Sequence, residues 1–418
     1  MTRAPGPPVI VLFTRDLRVH DNPALAAAAS RGRQVIPLFV WDEALLARSA
    51  ARANRLSFLR HSVLDLDRSL RDRGGALIVR KGDPVEVVAE LVRAFGVHDV
   101  HVAADLSGLA RRRERRLGRR MEQLGGRLRL FPPNAVVPPG EVRPVGGDHY
   151  KVFTPYLRAW WAHPWRPVVS APAAVNLPPS LEEPGDPART APPLASLTRH
   201  LPSPNLQQGG EGPGRARMAW WLSGPIGRYE DTRDLPAIDG TSRLSAYLHF
   251  GCLSVLELAV RARALAGTEP FVRQLAWRDF FGQVLAARPD TVVHDYRPGR
   301  RSWSRDPLVF DEWAAGTTGY ALVDAGMRQL VEEGWVHNRV RMVAASFLTK
   351  QLGIDWRLGA EHFDRWLADG DAASNIGNWQ WAAGVGNDTR PNRVLNPLRQ
   401  ARRFDPAGDY VRRFGVTG

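Results

Sequence analysis

Short runs of hydrophobic, largely β-branched residues recur through the first third of the chain, with longer amphipathic stretches between them. The runs predict strands at 9–14, 35–40, 76–80, 99–103 and 128–131. Between them, stretches such as 51–73 place leucines at helical spacing among arginines and aspartates, which predicts helices on the faces of a sheet. Because alternating strands and helices are typical of a parallel, doubly wound sheet, we expect a Rossmann-like α/β domain over residues 1–132.

The pattern changes near residue 133 and again near residue 209. Proline and glycine are frequent over 133–208, and pairs such as Pro178-Pro179 cannot sustain a long helix or a central strand. We therefore expect an interdomain linker there, with one aromatic piece at 150–161 that packs onto a domain. Over 209–418 the strand signal disappears, and helical spacing predicts an all-helical domain whose main helices lie at 255–265, 269–287, 320–333 and 336–352.

Composition narrows the function classes without choosing one. The formal net charge is +14 and the sequence pI is about 10.8, which favours a polyanionic partner such as nucleic acid. Only three of the 57 basic residues are lysine, so the arginine enrichment fits a GC-rich genome equally well. The single cysteine, Cys252, excludes a disulfide framework, and the sequence shows neither a signal peptide nor an apolar run near the roughly 20 residues of a membrane span. We expect a soluble, cytoplasmic protein without a membrane partner.

The second half of the chain carries the candidate chemistry. Residues 369–381 join two carboxylates, an amide and two tryptophans without a nucleophile, a metal-ligand set or an acid-base pair, which suits electron transfer better than hydrolysis. The chain has 14 tryptophans, most of them from Trp220 onward. Trp379 and Trp381 lie about 200° apart around a helix, so either one faces a buried cofactor and the other a surface pocket, or both are core packing.

A helix predicted around 336–342 offers a second set of candidates. Three- and four-residue spacing places Asn338, Arg341 and Met342 on one face, where Asn338 and Met342 line a pocket together. An inward-facing Arg341 needs a counter-charge, which we expect from Asp369 or Asp371.

Two further segments point to ligands. Residues 240–245 present small hydroxyl side chains where a helix begins, which indicates either an anion cradle or a simple helix cap. Residues 277–281 form an aromatic and basic cluster of the kind that stacks bases and holds phosphates. His337 has no carboxylate or cysteine partner nearby in the sequence, and we interpret it as structural.

Several motifs occur in a characteristic order along the chain. They are Phe-Thr-Arg-Asp-Leu-Arg-Val-His-Asp-Asn-Pro at 13–23, Phe-Thr-Pro at 153–155, Gly-Thr-Ser-Arg-Leu-Ser at 240–245 and Arg-Arg-Phe-Asp at 402–405. Together they resemble the DNA photolyase and cryptochrome family of flavoproteins, and most of all the microbial, class I-type photolyases that repair cyclobutane pyrimidine dimers. The resemblance implies an α/β antenna-type domain, a helical FAD-binding domain, and light-driven electron transfer from reduced FAD to a flipped-out dimer in DNA.

The resemblance implies FAD contacts at the positions that match the family's motifs. Asn375 matches the residue that faces flavin N5, and it favours repair over the plant signalling branch, which has an acid there. Electron transfer from the surface to the flavin is assigned to Trp303, Trp356 and Trp379. The other implied cofactor contacts are Tyr229, Thr241, Ser242, Arg243, Leu244, Ser245, Arg341, Asp369, Gly370 and Asp371.

On the DNA side, the resemblance implies that Trp277 and Trp381 wall the pocket for the flipped dimer and that Asn338 and Met342 form its floor. It also implies a monomer whose partner is dimer-containing DNA. For a second, antenna chromophore the family uses a folate or a deazaflavin, and nothing in the sequence separates these from an empty pocket. The remaining implied DNA contacts are Arg233, Gln274, Arg278, Arg339 and Gln400.

Two departures from the family pattern leave alternatives open. Gln274 stands where many dimer photolyases have a glutamate. A glutamine there resembles the (6-4) photolyases and animal cryptochromes, whereas 338–342 keeps the dimer-repair pattern. A glutamine amide still donates a hydrogen bond to a thymine carbonyl, so we expect retained repair with altered efficiency. Residues 387–393 replace the usual aromatic segment, and the chain stops at Gly418 without a long signalling extension. The alternatives are a cryptochrome-type blue-light photoreceptor, (6-4) photoproduct repair, and a DNA-binding flavoprotein without catalysis.

Overall fold

The computed structural model describes residues 6–415 of the chain, apart from residues 50, 182–191, 199, 300–301 and 388–389. Its N-terminal part is built on a parallel sheet whose described strands follow the order β3-β2-β1-β4-β5. This is the order of a doubly wound sheet, so the predicted fold class is confirmed. The strands are β1 Val9–Phe13, β2 Val35–Asp42, β3 Ile78–Gly82, β4 Asp99–Ala103 and β5 Arg127–Phe131.

Helices cover both faces of this sheet. Alternate residues of a strand point to opposite sides, and strands β1 and β2 are apolar on both sides, so each face needs a cover. The helices are α1 Pro23–Ala29, α2 Glu43–Ser49, α3 Ala53–Arg71, α4 Pro84–Phe95 and α5 Gly108–Gln123. Ile10 of β1 lies in a buried cluster with Val88 of α4 and Leu117 of α5. Its neighbours Val9 and Val11 belong to a second cluster, which continues into the helical part of the chain. The sheet and the helical part therefore share one core.

The aromatic piece predicted at 150–161 forms a helix, α6 Phe153–Ala162, that packs against the helical part. It buries Phe153, Tyr156 and Trp160. The rings of Phe153 and Tyr156 contact Phe280 at centroid distances of 5.7 and 5.4 Å. Residues 182–191 and 199 of the predicted linker lie outside the described residues, as do residues 1–5 and 416–418 of the predicted domains.

The C-terminal part is helical, and the described residues after 208 contain no strand. The helix predicted at 269–287 has the same bounds in the structure, and the one predicted at 336–352 starts at Asn338 and ends in a π-helical turn, Phe347–Gln351. Within the described chain, no helix is long and apolar enough to cross a bilayer. The helices after α6 are α7 Leu194–Leu197, α8 Glu211–Leu222, α9 Tyr229–Thr232, α10 Ser245–Phe250, α11 Val255–Arg263, α12 Glu269–Ala287, α13 Pro307–Ala315, α14 Ala321–Glu333, α15 Asn338–Ser346, α16 Trp356–Trp366, α17 Ala372–Ala383, α18 Pro397–Phe404 and α19 Asp409–Arg413.

The motif at 13–23 joins the two parts of the chain. Gly251, between α10 and α11, has a φ of 68°, and a Cβ there would lie 1.9 Å from the carbonyl oxygen of Arg15. Only glycine allows this approach. The buried Arg18 guanidinium donates to the Gly251 carbonyl at 3.0 Å, and the Glu211 carboxylate of α8 accepts from the Val19 N–H at 2.7 Å. These contacts fix the loop after β1 against the helical part.

Candidate functional site

The loop 369–371 lies at the start of α17 and places two carboxylates side by side. Arg341 donates two hydrogen bonds to the Asp369 carboxylate, at 3.1 and 2.9 Å. The counter-charge predicted for Arg341, at Asp369 or Asp371, is therefore confirmed and is Asp369. Asp371 instead caps α17, because one of its oxygens accepts from the Ser374 N–H at 3.0 Å while the other faces a different arginine.

Both carboxylates of this loop are ionised although both are largely buried. Burial alone would raise the pKa of Asp369, but the charge and hydrogen bonds of Arg341 outweigh it and hold that pKa below its ordinary value. Burial is likewise outweighed at Asp371, where the His249 ring 3.8 Å away and the charge of Arg15 hold the pKa well below the ordinary value. Burial lowers the pKa of His249 to about 4, so this ring is neutral at pH 7. Arginine thus provides the positive charge that balances the loop.

The loop 240–245 is held in an unusual backbone conformation. Arg243 has a φ of 53°, which is uncommon for a residue with a Cβ. Its guanidinium lies 4.2 Å above the Trp335 ring and 3.1 Å from the Glu333 carboxylate, and these contacts stabilise the strained residue. Strain of this kind is maintained where the surrounding structure fixes it, often at ligand sites.

The hydroxyl residues of the same loop differ in burial and in their partners. Leu244 is buried, whereas Thr241 is half-buried and Ser245 is exposed. The Ser242 hydroxyl accepts weakly from the Leu244 N–H at 3.4 Å, and Ser245 contributes a hydrogen bond that lowers the pKa of Asp369. Within the described chain, no hydrogen bond engages the Thr241 hydroxyl. The N-cap residue of α10 is Leu244 and no side chain caps this helix, so of the two predicted roles the simple helix cap is not supported.

Asn375 and Tyr229 occupy defined positions near these loops. The Asn375 amide donates to the Ala360 carbonyl at 2.9 Å, which fixes the side chain, and none of the described residues donates to its Oδ1. Tyr229 is half-buried with its ring edge-on to Trp221 and Phe271, at centroid distances of 5.8 and 5.6 Å. Burial raises the pKa of Tyr229 to about 12, so its hydroxyl remains protonated.

Of the three tryptophans assigned to electron transfer, Trp356 and Trp379 are buried and Trp303 is half-buried. Trp379 lies directly against Gly359 of α16, where a Cβ would be 2.3 Å from the indole. Trp356 starts the same helix one turn earlier, and both indoles are buried in one apolar cluster. The residue after Trp303 donates to the Gly353 carbonyl at 3.0 Å, which places the half-buried Trp303 beside the start of α16.

The two predicted walls of the lesion pocket are both partly accessible. Trp277 stacks on Phe153 at a centroid distance of 3.7 Å and an interplanar angle of 8°. Trp381 is half-buried, and the Arg393 guanidinium lies 5.7 Å from its ring centre. Arg393 belongs to the departure at 387–393, of which residues 388 and 389 lie outside the described chain. An exposed arginine thus stands where the family pattern has aromatic residues.

The predicted pocket floor and its polar partners have few bonds within the protein. Asn338 is exposed, and its amide lies 3.7 Å from the Met342 sulfur, so the two share one helix face as the spacing predicts. Gln274 makes one long hydrogen bond, from Nε2 to the Pro270 carbonyl at 3.3 Å. The Gln400 Oε1 is buried and has no hydrogen-bond partner in the described structure. His337 caps α15 through Nδ1, which confirms its structural interpretation.

The arginines assigned to DNA differ in how firmly the protein holds them. Arg339 pairs with Asp234 at 2.7 Å and lies 4.5 Å above the Phe404 ring. Arg233 has longer contacts, 3.8 Å to the exposed carboxylate of Glu230 and 6.0 Å to the centre of the Tyr229 ring. Both cations remain available to a phosphate, but Arg339 must share or exchange its partner.

Arg278 lies in a cleft between the sheet and the helical part rather than on an open surface. Its guanidinium donates to the Asn134 carbonyl at 2.7 Å, which favours a structural role over the DNA contact assigned from the sequence. The cleft opens at the carboxyl ends of β1 and β4, where Thr14 and Asp105 line it. The Thr14 Oγ1 and one oxygen of Asp279 are buried there without a hydrogen-bond partner. Burial also raises the pKa of Asp279, despite the charge of Arg278.

Sequence reasoning missed two arginines that hold the loop 369–371 from the α/β part. Arg55 of α3 donates to the Gly370 carbonyl at 3.1 Å, and Arg15, after β1, donates to the Asp371 carboxylate at 2.7 Å. The only signal was the position of Arg15 next to a strand end within the 13–23 motif. Its partner lies 356 residues away, so no local pattern identifies the contact.

Comparisons with known proteins agree with this arrangement. Residues 9–175 match the family profile described as DNA photolyase, and residues 271–415 match the FAD binding domain of DNA photolyase. The deoxyribodipyrimidine photo-lyase of Streptomyces griseus is 50% identical over 96% of this chain and 88% of its own. A bacterial class III photolyase from Agrobacterium tumefaciens superposes with a TM-score of 0.91 at 32% identity, over 99% of this chain and 87% of its own. A Synechocystis cryptochrome superposes with a TM-score of 0.88 at 30% identity, over 99% and 89%.

Proposed function

Because the chain belongs to the DNA photolyase family, we propose that it repairs cyclobutane pyrimidine dimers in DNA in a light-driven reaction that uses FAD. One observation carries this proposal, and it lies in α17. Asp371 caps this helix, and Asn375 and Trp379 follow at four-residue spacing on the same face. Trp381 points to a different side and is only half-buried. A single helix thus carries hydrogen-bond acceptors for a flavin ring, one buried tryptophan and one partly accessible indole.

The residues present fit FAD. We assign the loop 240–245, with the Thr241 hydroxyl, to its phosphates, and the loop 369–371 with the Asn375 Oδ1 to the isoalloxazine end. When bound and excited by light, reduced FAD supplies the electron that opens the dimer and recovers it afterwards. The bidentate Arg341 contact holds the Asp369 carboxylate in one orientation, so the cofactor meets a fixed acceptor rather than a mobile charge.

We assign the lesion pocket to Trp277, Trp381, Asn338 and Met342. Flipping a base pair out of the duplex costs a few kcal/mol, and stacking on aromatic rings offsets part of that cost. The single long bond of the Gln274 amide is weak, so this side chain is free to donate to a thymine carbonyl instead. Arginines around the pocket neutralise phosphates and orient the strand.

We infer that the cleft at the carboxyl ends of β1 and β4 holds the second chromophore. Crevices at these strand ends are where doubly wound sheets bind ligands. The buried, unbonded oxygens of Thr14 and Asp279 support a polar ligand there. An absorption spectrum of the purified protein separates a folate or a deazaflavin from FAD alone, and a spectrum with FAD bands only contradicts this inference.

We further propose that the protein acts as a monomer in the cytoplasm. The only cysteine, Cys252, is buried, and burial raises the pKa of its thiol to about 12, so it offers no reactive group for a disulfide between chains. Light scattering of the purified protein measures its mass directly. A stable dimer contradicts the monomer proposal.

A comparison of lesions separates the proposed activity from its alternatives. The purified protein is mixed with oligonucleotides that carry a cyclobutane dimer, a (6-4) photoproduct or no lesion, and binding is measured in the dark. We expect preferential binding of the cyclobutane dimer, and about tenfold weaker binding of it by Gln274→Ala, because one hydrogen bond to the lesion is lost. Preferential binding of the (6-4) photoproduct favours the alternative function that Gln274 suggests, which is (6-4) photoproduct repair. Equal binding of all three supports a photoreceptor or a nonspecific DNA-binding protein.

A further inference from the structure

Each residue of the loop 369–371 is held by one arginine, and two of these arginines come from the α/β part. Asp369 pairs with Arg341, which belongs to the helical part. The Gly370 carbonyl accepts from Arg55 of α3, and the Asp371 carboxylate accepts from Arg15 after β1. The flavin site is therefore assembled across the boundary between the two parts of the chain.

Arg15 is fixed by more than its partner. Its Nε donates to the His249 carbonyl at 3.0 Å, and its Nη1 lies 3.6 Å from the Asp105 carboxylate. Its Nη2 also lies 3.0 Å from the ring nitrogen Nδ1 of His249. A guanidinium with partners on three sides keeps one orientation, so it presents Nη2 to Asp371 at 2.7 Å.

No other arginine or lysine among the described residues lies within 4 Å of the Asp371 carboxylate. Arg341 is not a second partner for Asp371, because its Nη1 and Nη2 both donate to the Asp369 carboxylate. A largely buried carboxylate without a counter-charge is costly, and it either protonates or reorients. Reorientation of Asp371 would also release the Ser374 N–H at the start of α17.

We propose that Arg15 is a positioning residue of the flavin site: from the wall of the cleft after β1, which Arg15 and Asp371 both line, it keeps Asp371 ionised and in one orientation across the domain boundary. This inference rests on the proposed function only through its FAD site. It does not require that DNA be repaired. It concerns a contact between the α/β part and the cofactor loop, and thus gives the 13–23 motif a role beyond joining the two parts.

The variant Arg15→Gln tests the proposal through release of FAD from the purified holoprotein, measured by the fluorescence of free FAD after dilution. In this variant the charge of Arg15 no longer opposes burial, so the pKa of the Asp371 carboxyl rises and its protonated fraction grows as the pH falls. Because the proposed site needs an ionised carboxylate in one orientation, we expect the FAD dissociation constant to rise about tenfold or more at pH 6 and less at pH 8. The wild-type constant stays flat between these values. The other charged or titratable groups facing Asp371 are His249, which is neutral above about pH 4, and Arg278, and neither titrates in this range.

Three companion variants separate positioning from general stability. Arg33→Gln is the matched control, because Arg33 also forms a cross-element pair, with Asp99 at 3.2 Å, and its side chain is 29% exposed against 32% for Arg15. Arg15→Lys keeps the charge and is expected to restore the flat pH profile with partial affinity. Arg15→Gln combined with Asp371→Asn removes both charges and is expected to abolish the pH dependence.

The outcomes are distinct. A dissociation constant for Arg15→Gln that equals the wild-type value at both pH values overturns the proposal. Equal losses in Arg15→Gln and Arg33→Gln, without pH dependence, also overturn it, because they indicate a structural role only. If the wild type and the variants bind FAD with the expected pH profiles but the wild type does not repair dimers, the proposed function fails while this inference stands.

Discussion

Charge balance at single residues decides which groups the loop 369–371 presents to a ligand. Asp369 and Asp371 remain ionised because a guanidinium contacts each of them, and His249 remains neutral because burial lowers its pKa to about 4. The pairing of Arg341 with Asp369 followed from helical spacing and the need for a counter-charge. The pairing of Arg15 with Asp371 did not, since only the tertiary structure brings the end of β1 to the start of α17.

In the electron path that we propose, Trp379 is the tryptophan assigned nearest to the flavin. It is buried, it lies on the same face of α17 as Asn375, and it contacts α16 at the turn that follows Trp356. We expect Trp379→Phe to slow light-driven reduction of oxidised, bound FAD by an external reductant at least tenfold, because phenylalanine does not donate an electron as indole does. Absorbance under continuous illumination measures the rate.

The matched control is Trp41→Phe, which changes an equally buried tryptophan in the α/β part. It is expected to leave the rate of photoreduction unchanged. Equal photoreduction by wild type and Trp379→Phe would contradict the assigned path.

At the scale of elements, the periodic patterns predicted well which segments form helices or strands, and predicted less well where those helices and strands end. The bounds of α12 match the sequence prediction, because both ends have clear signals: Thr268 and Pro270 at the start and Pro289 after the end. The helix predicted at 336–352 instead changes to a π-helical turn at Phe347, and periodicity alone does not distinguish this turn from an α-helix.

Close contact between α16 and α17 depends on a glycine. A Cβ at Gly359 would lie 2.3 Å from the Trp379 ring and 2.7 Å from Leu348, both in the core. We expect Gly359→Ala to lower the free energy of unfolding by about 1–3 kcal/mol through overpacking and to slow photoreduction as well, because the indole must shift. Urea denaturation followed by circular dichroism measures the first effect.

Gly118→Ala provides the control in another helix. Gly118 lies in α5, and a Cβ there would make only an ordinary contact at 3.9 Å with Leu128. Alanine has the higher helix propensity, so this variant is expected to keep or slightly raise stability, by up to about 1 kcal/mol. A Gly359→Ala variant as stable as wild type would show that α16 and α17 are not packed as described.

At the scale of the whole molecule, the two parts act as one body because they share a core and a set of polar contacts. Val9 and Val11 of the sheet lie in the same buried cluster as Leu256 and Phe280 of the helical part. The sequence predicted both folds, since each has its own periodicity. It did not predict how they meet, because those contacts join residues more than 190 positions apart, such as Val19 and Glu211.

Buried histidines make the stability of the whole molecule depend on pH. Burial lowers the pKa values of His249 and His337 to about 4 in the folded protein, whereas an unfolded histidine titrates near 6.5. Between these values the unfolded state binds more protons, so the free energy of unfolding falls as the pH falls. The expected slope is about 1.4 kcal/mol per pH unit for each histidine. The depressed pKa values of Asp369 and Asp371 add to the loss only at lower pH.

Urea unfolding at several pH values between 4.5 and 6.5, each value set by buffer, measures this slope. His337→Asn keeps an acceptor for the Arg339 N–H at the start of α15 but does not titrate. This variant is expected to reduce the slope by about 1.4 kcal/mol per pH unit. A slope for His337→Asn equal to that of the wild type would contradict the neutral, buried state of His337.

The central claim is that this molecule uses light to open pyrimidine dimers, and product analysis tests it most directly. Purified protein with bound, reduced FAD is incubated with a dimer-containing oligonucleotide under blue or near-UV light, with a dark sample alongside, and the strands are resolved by chromatography. The account predicts conversion of the dimer to two intact thymines in the light sample only. An unchanged dimer after illumination, with FAD occupancy confirmed by absorbance, would contradict it.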